Sequence, residues 1–492
     1  GMGSWLKARE DKVFAKGKGE LQTFWLNIKK ETKSESSSSS SLCEHRSFRN
    51  DVFNLEPQKG KTKERNYEKK IARLVKWNVD VLSRILKQVI ARRQATRKNI
   101  CDTECISLCQ SSDGSTVLDE VKDIITLPEF NPKFLKKQVD PESIQLNPDV
   151  VSELTKYVTA IANMYRRNPF HNFEHASHVT MSVTKLLSRI VNPKETLMAQ
   201  ALDSSNSNNQ NTQKVASDLH DHTFGITSDP LTQFACAFSA LIHDVDHYGV
   251  PNNTLVEEKS PLAEKYKNKS VAEQNSVDAA WDLLMNDEYE NFRKCIFVTR
   301  EELLRFRQLV VNVVMATDVM DKDLGVLRKA RWAKAFSSEV RSEEEAATLK
   351  ENVNRKATIV IEHLIQASDV SHTMQHWEVY IKWNERLFHE IYQAYKLGRI
   401  ETDPCKNWVE GEKGFFDFYV VPIAKKLDTC GVFGVSSNEY LSYALTNRKE
   451  WESKGPDMVK LFIERYGKLA KNEDSIEDDI CLPGTTVMSR AA

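Results

Sequence analysis

Apolar residues recur at every third or fourth position along most of the chain, the spacing that gives an α-helix one buried face. Between residues 149 and 166 this face carries Val151, Leu154 and Ile161. Runs with the alternating pattern of a strand are scarce over residues 116–470. We therefore predict an all-α, compact multi-helix domain for this part of the chain. Further helices with the same period are expected over 173–191, 300–317, 354–370 and 374–396.

A second helical stretch, residues 65–98, has its apolar positions separated by alternating steps of four and three. This seam extends from Ile71 to Val89 and contains Asn78. A seam with one asparagine is typical of a dimeric coiled coil, in which the polar residue fixes the register. The same apolar stripe could instead dock on the following domain. For the linker region 65–115 the sequence leaves both alternatives open, including a homodimer through this helix.

The two ends of the chain differ in composition from its centre. In residues 1–26, the sequence KGKG (16–19) lies between two apolar pieces and predicts a strand, a glycine turn and a second strand. Two strands alone are marginally stable, so this hairpin should belong to a larger sheet. Residues 27–64 contain six consecutive serines (36–41) and are predicted to be a disordered linker. Residues 471–492 are acidic and are predicted to form a mobile tail.

One apolar helix leads directly into a cluster of ionisable groups. In the segment CAFSALIHDVDHYGV (236–250), the residues His243, Asp244, Asp246 and His247 follow an uninterrupted apolar run. Burying an unpaired carboxylate costs several kcal/mol, so such groups are normally ion-paired or bound to a metal. Taken alone, the cluster is also compatible with a helix end that carries a capping aspartate and a salt bridge.

Two other stretches deliver the same residue types from helices. HNFEHASH (171–178) contains three histidines, and QASDVSH (366–372) follows the apolar helix IVIEHLI. Imidazole and carboxylate suit zinc, whereas carboxylate and water suit magnesium or manganese. An adjacent histidine and aspartate can bind one metal and bridge to another. The three stretches together therefore indicate a two-metal site of the kind that promotes displacement at phosphorus.

Bulk composition narrows the classes of partner. The chain has 492 residues, 40% of them hydrophobic and 28% charged, which suits a soluble protein with a large core. The formal net charge of −1 provides no general attraction for nucleic acid or for an anionic membrane. No apolar run approaches the ~18 residues that a membrane span needs. We therefore expect a cytoplasmic protein, or the cytosolic part of a membrane-anchored parent, that has no nucleic-acid partner and no membrane segment in this chain.

Residues 116–470 resemble the catalytic domain of class I cyclic nucleotide phosphodiesterases, members of the HD superfamily. The matching motifs are HNFEHASHV (171–179), HDVDHYGVPN (243–252), ATD (316–318), ASDVS (367–371) and GFFDFYVVP (414–422). The resemblance implies an HD-type helical fold. It also implies metal-dependent hydrolysis of cAMP, cGMP or both to 5′-nucleoside monophosphates, by a hydroxide that bridges two metals.

The resemblance assigns the metal ligands residue by residue. His175, His243, Asp244 and Asp369 match the ligands of a tightly held zinc ion. Asp244 also matches the carboxylate that bridges to a second ion, magnesium or manganese, whose other ligands are largely water. All four ligand positions are present in this sequence.

Further roles follow from the same resemblance. His171 matches the general acid that protonates the leaving O3′ oxygen, and Glu273 matches the acidic residue beside the bridging hydroxide. His247 and Thr317 match groups that orient metal-bound water, and Asp246 would support the metal ligands from behind. Mutation of such outer partners typically lowers metal affinity or activity 10–100-fold.

The expected base pocket departs from the family pattern. Phe415 and Leu387 match the residues that clamp the purine, while His372 and Phe170 replace an asparagine and a tyrosine. Glu412 stands where the family usually has the glutamine that reads the purine edge. An ionised carboxylate only accepts hydrogen bonds, so it favours guanine, which offers two donors, unless burial raises its pKa.

The sequence leaves two alternatives to a cyclic nucleotide phosphodiesterase: an HD-type phosphohydrolase that acts on another nucleotide, and a catalytically silent domain that binds cyclic nucleotides. The aromatic residue Phe415 argues against the first, and the complete ligand set argues against the second. The hairpin in residues 1–26 resembles the C-terminal end of class III nucleotide cyclase domains. That resemblance implies a longer cyclase–phosphodiesterase fusion, without cyclase activity in so short a piece.

Overall fold

The computed structural model describes the backbone of residues 6–8, 13–15, 19–21, 24–26, 60–96, 115–131, 139–190, 209–336 and 345–472. The chain divides into two compact units, Gly1–Thr62 and Lys63–Ala492.

The first unit contains four short strands that form two antiparallel pairs. Strand β1 (Leu6–Ala8) pairs with β4 (Phe24–Leu26), and β2 (Val13–Ala15) pairs with β3 (Gly19–Leu21). Residues 16–18, between β2 and β3, lie outside the described residues, so the glycine turn predicted there stays a prediction. That residues 1–26 are the C-terminal end of a nucleotide cyclase domain stays a prediction.

The second unit is helical in the part of the chain that the structure describes, which confirms the predicted all-α fold. Its helices are α1 (Gly60–Thr96, which begins in the first unit), α2 (Pro148–Met164), α3 (Phe173–Ser188), α4 (Asn209–His222), α5 (Pro230–Ile242), α6 (Asn252–Glu257), α7 (Pro261–Lys265), α8 (Val271–Met285), α9 (Glu290–Ile296), α10 (Arg300–Met315), α11 (Lys322–Phe336), α12 (Glu345–Asp369), α13 (Trp377–Lys396), α14 (Pro404–Phe415), α15 (Val421–Thr429) and α16 (Val435–Asn472). A π-helical turn, Phe416–Val420, joins α14 to α15.

Helix α5 is the centre of the core. All of its residues except Gln233 are buried, and it packs against α3 and α10. Pro230 occupies its first turn, where the missing N–H costs nothing. Because α5 is covered on every side, the residues that follow it are held on a rigid element inside the domain. Burial of a large aliphatic or aromatic side chain contributes about 1.5–3 kcal/mol.

Helix α1 docks on the same core. Val75, Leu82 and Leu86 are buried there, with at most 7% of their surface exposed. The seam asparagine, Asn78, is fully buried, and its Nδ2 donates to Ser177 Oγ of α3 at 2.9 Å. The seam is thus covered within a single chain, which supports the docking alternative and argues against a dimeric coiled coil through these side chains.

Helix α1 is also fixed at its C-terminal end. The guanidinium of Arg93 donates to the carbonyl oxygens of Lys294, Cys295 and Ile296, where α9 ends. These carbonyls have no partner within α9, so Arg93 satisfies acceptors that would otherwise be unpaired.

Several segment boundaries in the structure differ from those predicted from the sequence. The predicted linker 27–64 loses its last five residues to α1, and its residues 27–59 lie outside the described residues. The first two residues of the predicted tail, 471 and 472, belong to α16, and residues 473–492 lie outside the described residues. In α2, Val150 rather than Val151 faces the core. Among the described residues, no helix combines the length and hydropathy needed to cross a lipid bilayer.

Candidate metal and hydrolytic site

Three helices bring the predicted metal ligands to one point. His243 is the C-cap of α5 and Asp244 follows it; His175 lies in the first turn of α3; Asp369 is the last residue of α12. Helix ends can turn short side chains inward while the helices themselves stay packed. The three separate sequence motifs therefore form one cluster, as predicted.

The four side chains direct one atom each at a common centre. His175 Nε2 lies 3.0 Å from Asp369 Oδ1 and 3.6 Å from Asp244 Oδ2. His243 Nε2 lies 3.1 Å from Asp244 Oδ2 and 3.4 Å from Asp369 Oδ1. Ligands of a tetrahedral zinc with bonds of about 2.0–2.1 Å lie roughly 3.3–3.4 Å apart. The donor set and its spacing therefore fit a divalent metal.

Hydrogen bonding also leaves the cluster ready to bind a cation. His243 Nε2 and Asp244 Oδ2 are buried polar atoms without a hydrogen-bond partner in the described structure. The other imidazole nitrogen, His243 Nδ1, lies 3.0 Å from the carbonyl oxygen of Ala240 and donates to it, which leaves the Nε2 lone pair free. Burial alone would raise the pKa of Asp369, but His175 and His243 hold it below its usual range, so the carboxylate is ionised.

Asp246 fixes the turn that presents His243 and Asp244. Its φ of 60° lies in the left-handed region, which aspartate tolerates better than most residues. Its carboxylate accepts from Arg166 Nε at 2.8 Å and from Asn275 Nδ2 at 3.2 Å. The supporting role predicted for Asp246 is therefore geometrically reasonable, and Arg166 and Asn275 are its partners.

The predicted general acid, His171, forms an ion pair with Glu390. His171 Nδ1 is hydrogen-bonded to Glu390 Oε1, while Glu390 Oε2 accepts from the backbone N–H groups of Phe170 and His171 at 2.8 and 3.0 Å. Burial would lower the pKa of His171, but the Glu390 carboxylate overrides it and raises that pKa to about 9. At neutral pH the imidazole is therefore protonated, as a general acid must be.

His247 lies against His171, with 3.9 Å between ring centroids. Burial, reinforced by the charge of His171, lowers the pKa of His247 to about 4, so the ring is neutral. His171, His247 and Glu390 are close enough to form a metal-binding triad. Both oxygens of Glu390 are already engaged by His171 and by backbone N–H groups, however, so hydrogen bonding rather than metal binding accounts for this group.

Glu273 lies on α8 and is half-buried. Asn252 Nδ2 donates to its Oε2 at 2.8 Å. Burial and then the neighbouring Asp318 raise the pKa of Glu273 to about 8, which makes it a carboxyl group able to hold or release a proton near neutral pH. Thr317 donates its hydroxyl to Val314 O at 2.7 Å, which leaves its oxygen able to accept from water, and its role in orienting metal-bound water stays a prediction.

Glu412 is buried at the end of an apolar cavity of about 270 Å³. Tyr380 donates its hydroxyl to Glu412 Oε1 at 3.0 Å, and Asn384, which is held by Trp408 Nε1 at 3.1 Å, also hydrogen-bonds the carboxyl. Burial raises the pKa of Glu412 to about 7, although these hydrogen bonds oppose the rise. The cavity is lined by Pro251, Ile391, Ile400, Thr402, Pro404, Asn407, Trp408, Gly411 and Glu412.

The other residues predicted to form the base pocket do not all lie beside the cavity at Glu412. Phe170 packs against His175, with ring centroids 4.6 Å apart, and against His372 at 5.4 Å, so these two residues do lie beside the metal cluster. Phe415 stacks on Tyr419 at 5.4 Å. Neither Phe415 nor Leu387 lines the cavity beside Glu412, and their clamp role stays a prediction.

Sequence reasoning missed the partners that tune the site. Glu390, Tyr380 and Asn384 all lie on α13, within the predicted helix 374–396. Each is a polar residue on the apolar face of an amphipathic helix, and each is buried. Because a buried polar side chain needs a hydrogen-bond partner, this placement could have predicted that each of these residues has one. The spacing of residues in the sequence does not identify that partner.

Comparison with known proteins agrees with this geometry. Residues 170–431, more than half of the chain, match the 3′5′-cyclic nucleotide phosphodiesterase family. The chain belongs to this family. The class I phosphodiesterase resemblance of the sequence is thereby confirmed, and the matched segment includes all four predicted metal ligands and Glu412.

The curated relatives share little more than a quarter of their aligned residues with this chain. The human dual specificity calcium/calmodulin-dependent 3′,5′-cyclic nucleotide phosphodiesterase 1C is 26% identical over 282 residues, covering 55% of this chain and 33% of the relative. A probable 3′,5′-cyclic-AMP phosphodiesterase of Caenorhabditis elegans is 28% identical over 283 residues, covering 55% and 36%. The chain thus spans about a third of the length of these curated relatives.

A similar solved structure is the phosphodiesterase domain of the RhoPDE fusion protein from the choanoflagellate Salpingoeca rosetta. It shares 20% sequence identity with this chain, with a TM-score of 0.45, and covers 63% of this chain and 85% of that one.

Proposed function

We propose that this protein hydrolyses 3′,5′-cyclic nucleotides, cAMP, cGMP or both, to 5′-nucleoside monophosphates and so ends cyclic nucleotide signals. The observation that carries the proposal is the convergence of four metal-capable atoms beside a protonated, carboxylate-paired histidine. The two curated relatives described above are named as 3′,5′-cyclic nucleotide phosphodiesterases, one of them as a probable one.

In this proposal His175, His243, Asp244 and Asp369 would hold zinc, and Asp244 would also be a ligand of a second ion, magnesium or manganese. Cations held there would neutralise charge that develops on the phosphoryl oxygens and would lower the pKa of an attacking water. The mixed imidazole and carboxylate donors suit zinc, and a single shared carboxylate suits a largely hydrated second ion.

His171 supplies the proton for the leaving group. Its Nδ1 is committed to Glu390, so Nε2 is the nitrogen that can face the substrate. As the bond between water oxygen and phosphorus forms, the bond between phosphorus and O3′ breaks, and the proton on Nε2 moves to O3′. Glu390 stabilises the imidazolium until that transfer, and neutral His247 packs against it. The proton that water loses goes to Glu273 in its ionised form, which a pKa of about 8 leaves as a minor fraction near neutral pH.

The base would be read at Glu412. When its carboxyl is protonated, it can both donate and accept and so can pair with adenine or guanine; when it is ionised, it only accepts and favours guanine. A pKa of about 7 places both forms within the physiological range. Phe415, Leu387, His372 and Phe170 are the further residues that we propose contact the nucleotide.

The decisive test is an assay of cAMP and cGMP hydrolysis with the full chain, before and after chelation, and then with zinc, magnesium or manganese restored. We expect activity to disappear with chelator and to return with metal. An Asp369→Ala variant should be inactive under all conditions. Hydrolysis that survives in this variant would disprove the metal assignment, and binding of cyclic nucleotide without turnover in the metal-restored wild type would favour the silent binding domain.

We further propose that the protein acts in the cytoplasm as part of a longer fusion with a nucleotide cyclase. The resemblance of residues 1–26 to the end of cyclase domains supports the fusion, and the paired strands β2 and β3 are compatible with it. Sequencing of the full transcript would test this proposal, since it requires the remainder of a cyclase domain upstream.

A further inference from the structure

Helix α1 makes polar contacts at the start of the metal-binding helix α3. Lys70 Nζ donates to Glu174 Oε2 at 2.5 Å, and Glu174 immediately precedes the metal ligand His175. Two turns along α1, Asn78 Nδ2 donates to Ser177 Oγ at 2.9 Å, two residues after His175. The contacts of α1 thus lie on both sides of a single metal ligand.

Glu174 also connects this contact to α13. Arg386 NH1 donates to the same oxygen, Glu174 Oε2, at 2.8 Å, and the Arg386 guanidinium lies 4.5 Å from the ring centroid of Trp383. Arg386 stands one helical turn before Glu390, the partner of His171. The bridge Lys70–Glu174–Arg386 therefore joins α1 to α3, which carries His175, and to α13, which carries the carboxylate partner of His171.

The contact at Asn78 is deeply buried and specific. Asn78 has no exposed surface, and its Nδ2 donates to Leu74 O as well as to Ser177 Oγ. Ser177 Oγ in turn donates to Phe173 O at 2.7 Å within the first turn of α3. The bond to Leu74 O orients the amide within α1, and the bond to Ser177 Oγ joins α1 to α3; because hydrogen bonds are directional, this contact constrains the relative position of the two helices more than apolar packing alone.

We propose that α1 is a positioning element of the metal site: Lys70, through Glu174, and Asn78, through Ser177, hold the first turns of α3 and with them His175. The proposal rests on the proposed metal site. Outer partners that orient a metal ligand typically change metal affinity 10–100-fold. Lys70 and Asn78 act one residue further away, and the Lys70 ion pair is partly exposed, so we expect about a 3–10-fold effect for each.

The test measures zinc affinity of the full chain by competition with a chromophoric chelator, together with kcat and KM for cyclic nucleotide. Lys70→Met and Asn78→Leu should each weaken zinc binding by about 3–10-fold and leave KM within about twofold. Lys70→Arg should restore the affinity. The matched control is Lys76→Met, which removes the same charge from the same helix, where Lys76 pairs only locally with Asp80 and both are exposed.

The proposal is overturned if Lys70→Met and Asn78→Leu bind zinc as tightly as Lys76→Met, or if Lys70→Arg is as impaired as Lys70→Met. It is also overturned if circular dichroism shows that the weaker variants are partly unfolded at the assay temperature. A wild-type chain that binds zinc but hydrolyses neither cyclic nucleotide would disprove the proposed function alone, since the affinity comparison would still decide the role of α1.

Discussion

His171 and Glu390, 219 positions apart in sequence, form an ion pair whose carboxylate is buried and uses both of its oxygens. One oxygen contacts the imidazole and the other accepts two backbone N–H groups of the same loop. Glu390 therefore both charges the imidazole and fixes the loop that carries it.

Replacing Glu390 with glutamine should lower kcat by at least about 100-fold with little change in KM, because the amide cannot stabilise the imidazolium and general acid catalysis contributes 10²–10⁴-fold. Steady-state kinetics with cAMP and cGMP would check this. The loss should shrink for a substrate with a 3′-thiolate leaving group, which needs no proton. Glu385→Gln is a matched control, since Glu385 lies on the same helix but pairs with Arg465. Equal losses in the two variants would contradict the assignment.

Substrate preference should depend on pH through Glu412. Its pKa of about 7 means that the carboxyl is mainly protonated at pH 6 and mainly ionised at pH 8. Since the ionised form only accepts, the ratio of kcat/KM for cGMP to that for cAMP should rise from pH 6 to pH 8. In Glu412→Gln this ratio should be flat over the same range. A pH-independent ratio in the wild type would contradict base reading by Glu412.

Metal removal should destabilise the protein. A ligand that binds only the folded state adds about 2.7 kcal/mol at a free concentration 100 times its Kd. We therefore expect chelation to lower the thermal midpoint of a domain of this size by about 3 °C or more, measured by differential scanning calorimetry. Asp369→Asn, which loses one ligand, should show a much smaller response to chelator. A midpoint that is unaffected by chelation in the wild type would argue against a metal at this cluster.

The sequence predicted the helices and the meeting of three His- and Asp-containing stretches for a physical reason, while the assignment of individual metal ligands comes from the family resemblance and stays a prediction. Helical periodicity marks buried faces, and clustered His and Asp residues after an apolar helix are costly unless they bind something. The pairing of His171 with Glu390 was not predictable in this way, because it joins a loop to a helix more than two hundred residues later. For Glu412 the sequence indicated that burial could raise the pKa, but its hydrogen bonds to Tyr380 and Asn384, which oppose that rise, were not predictable.

The docking of α1 can be distinguished from a coiled coil by a core substitution. Leu82→Ala removes a fully buried side chain, and such changes cost about 2–5 kcal/mol. Because the side chain packs within one chain, the loss in unfolding free energy should be the same at low and high protein concentration. Urea denaturation at concentrations that differ tenfold would measure it. Arg84→Ala, at an exposed position two residues later, should stay within about 0.5 kcal/mol of the wild type. A loss that grows on dilution would instead show that the seam pairs two chains, since the stability of a dimer depends on protomer concentration.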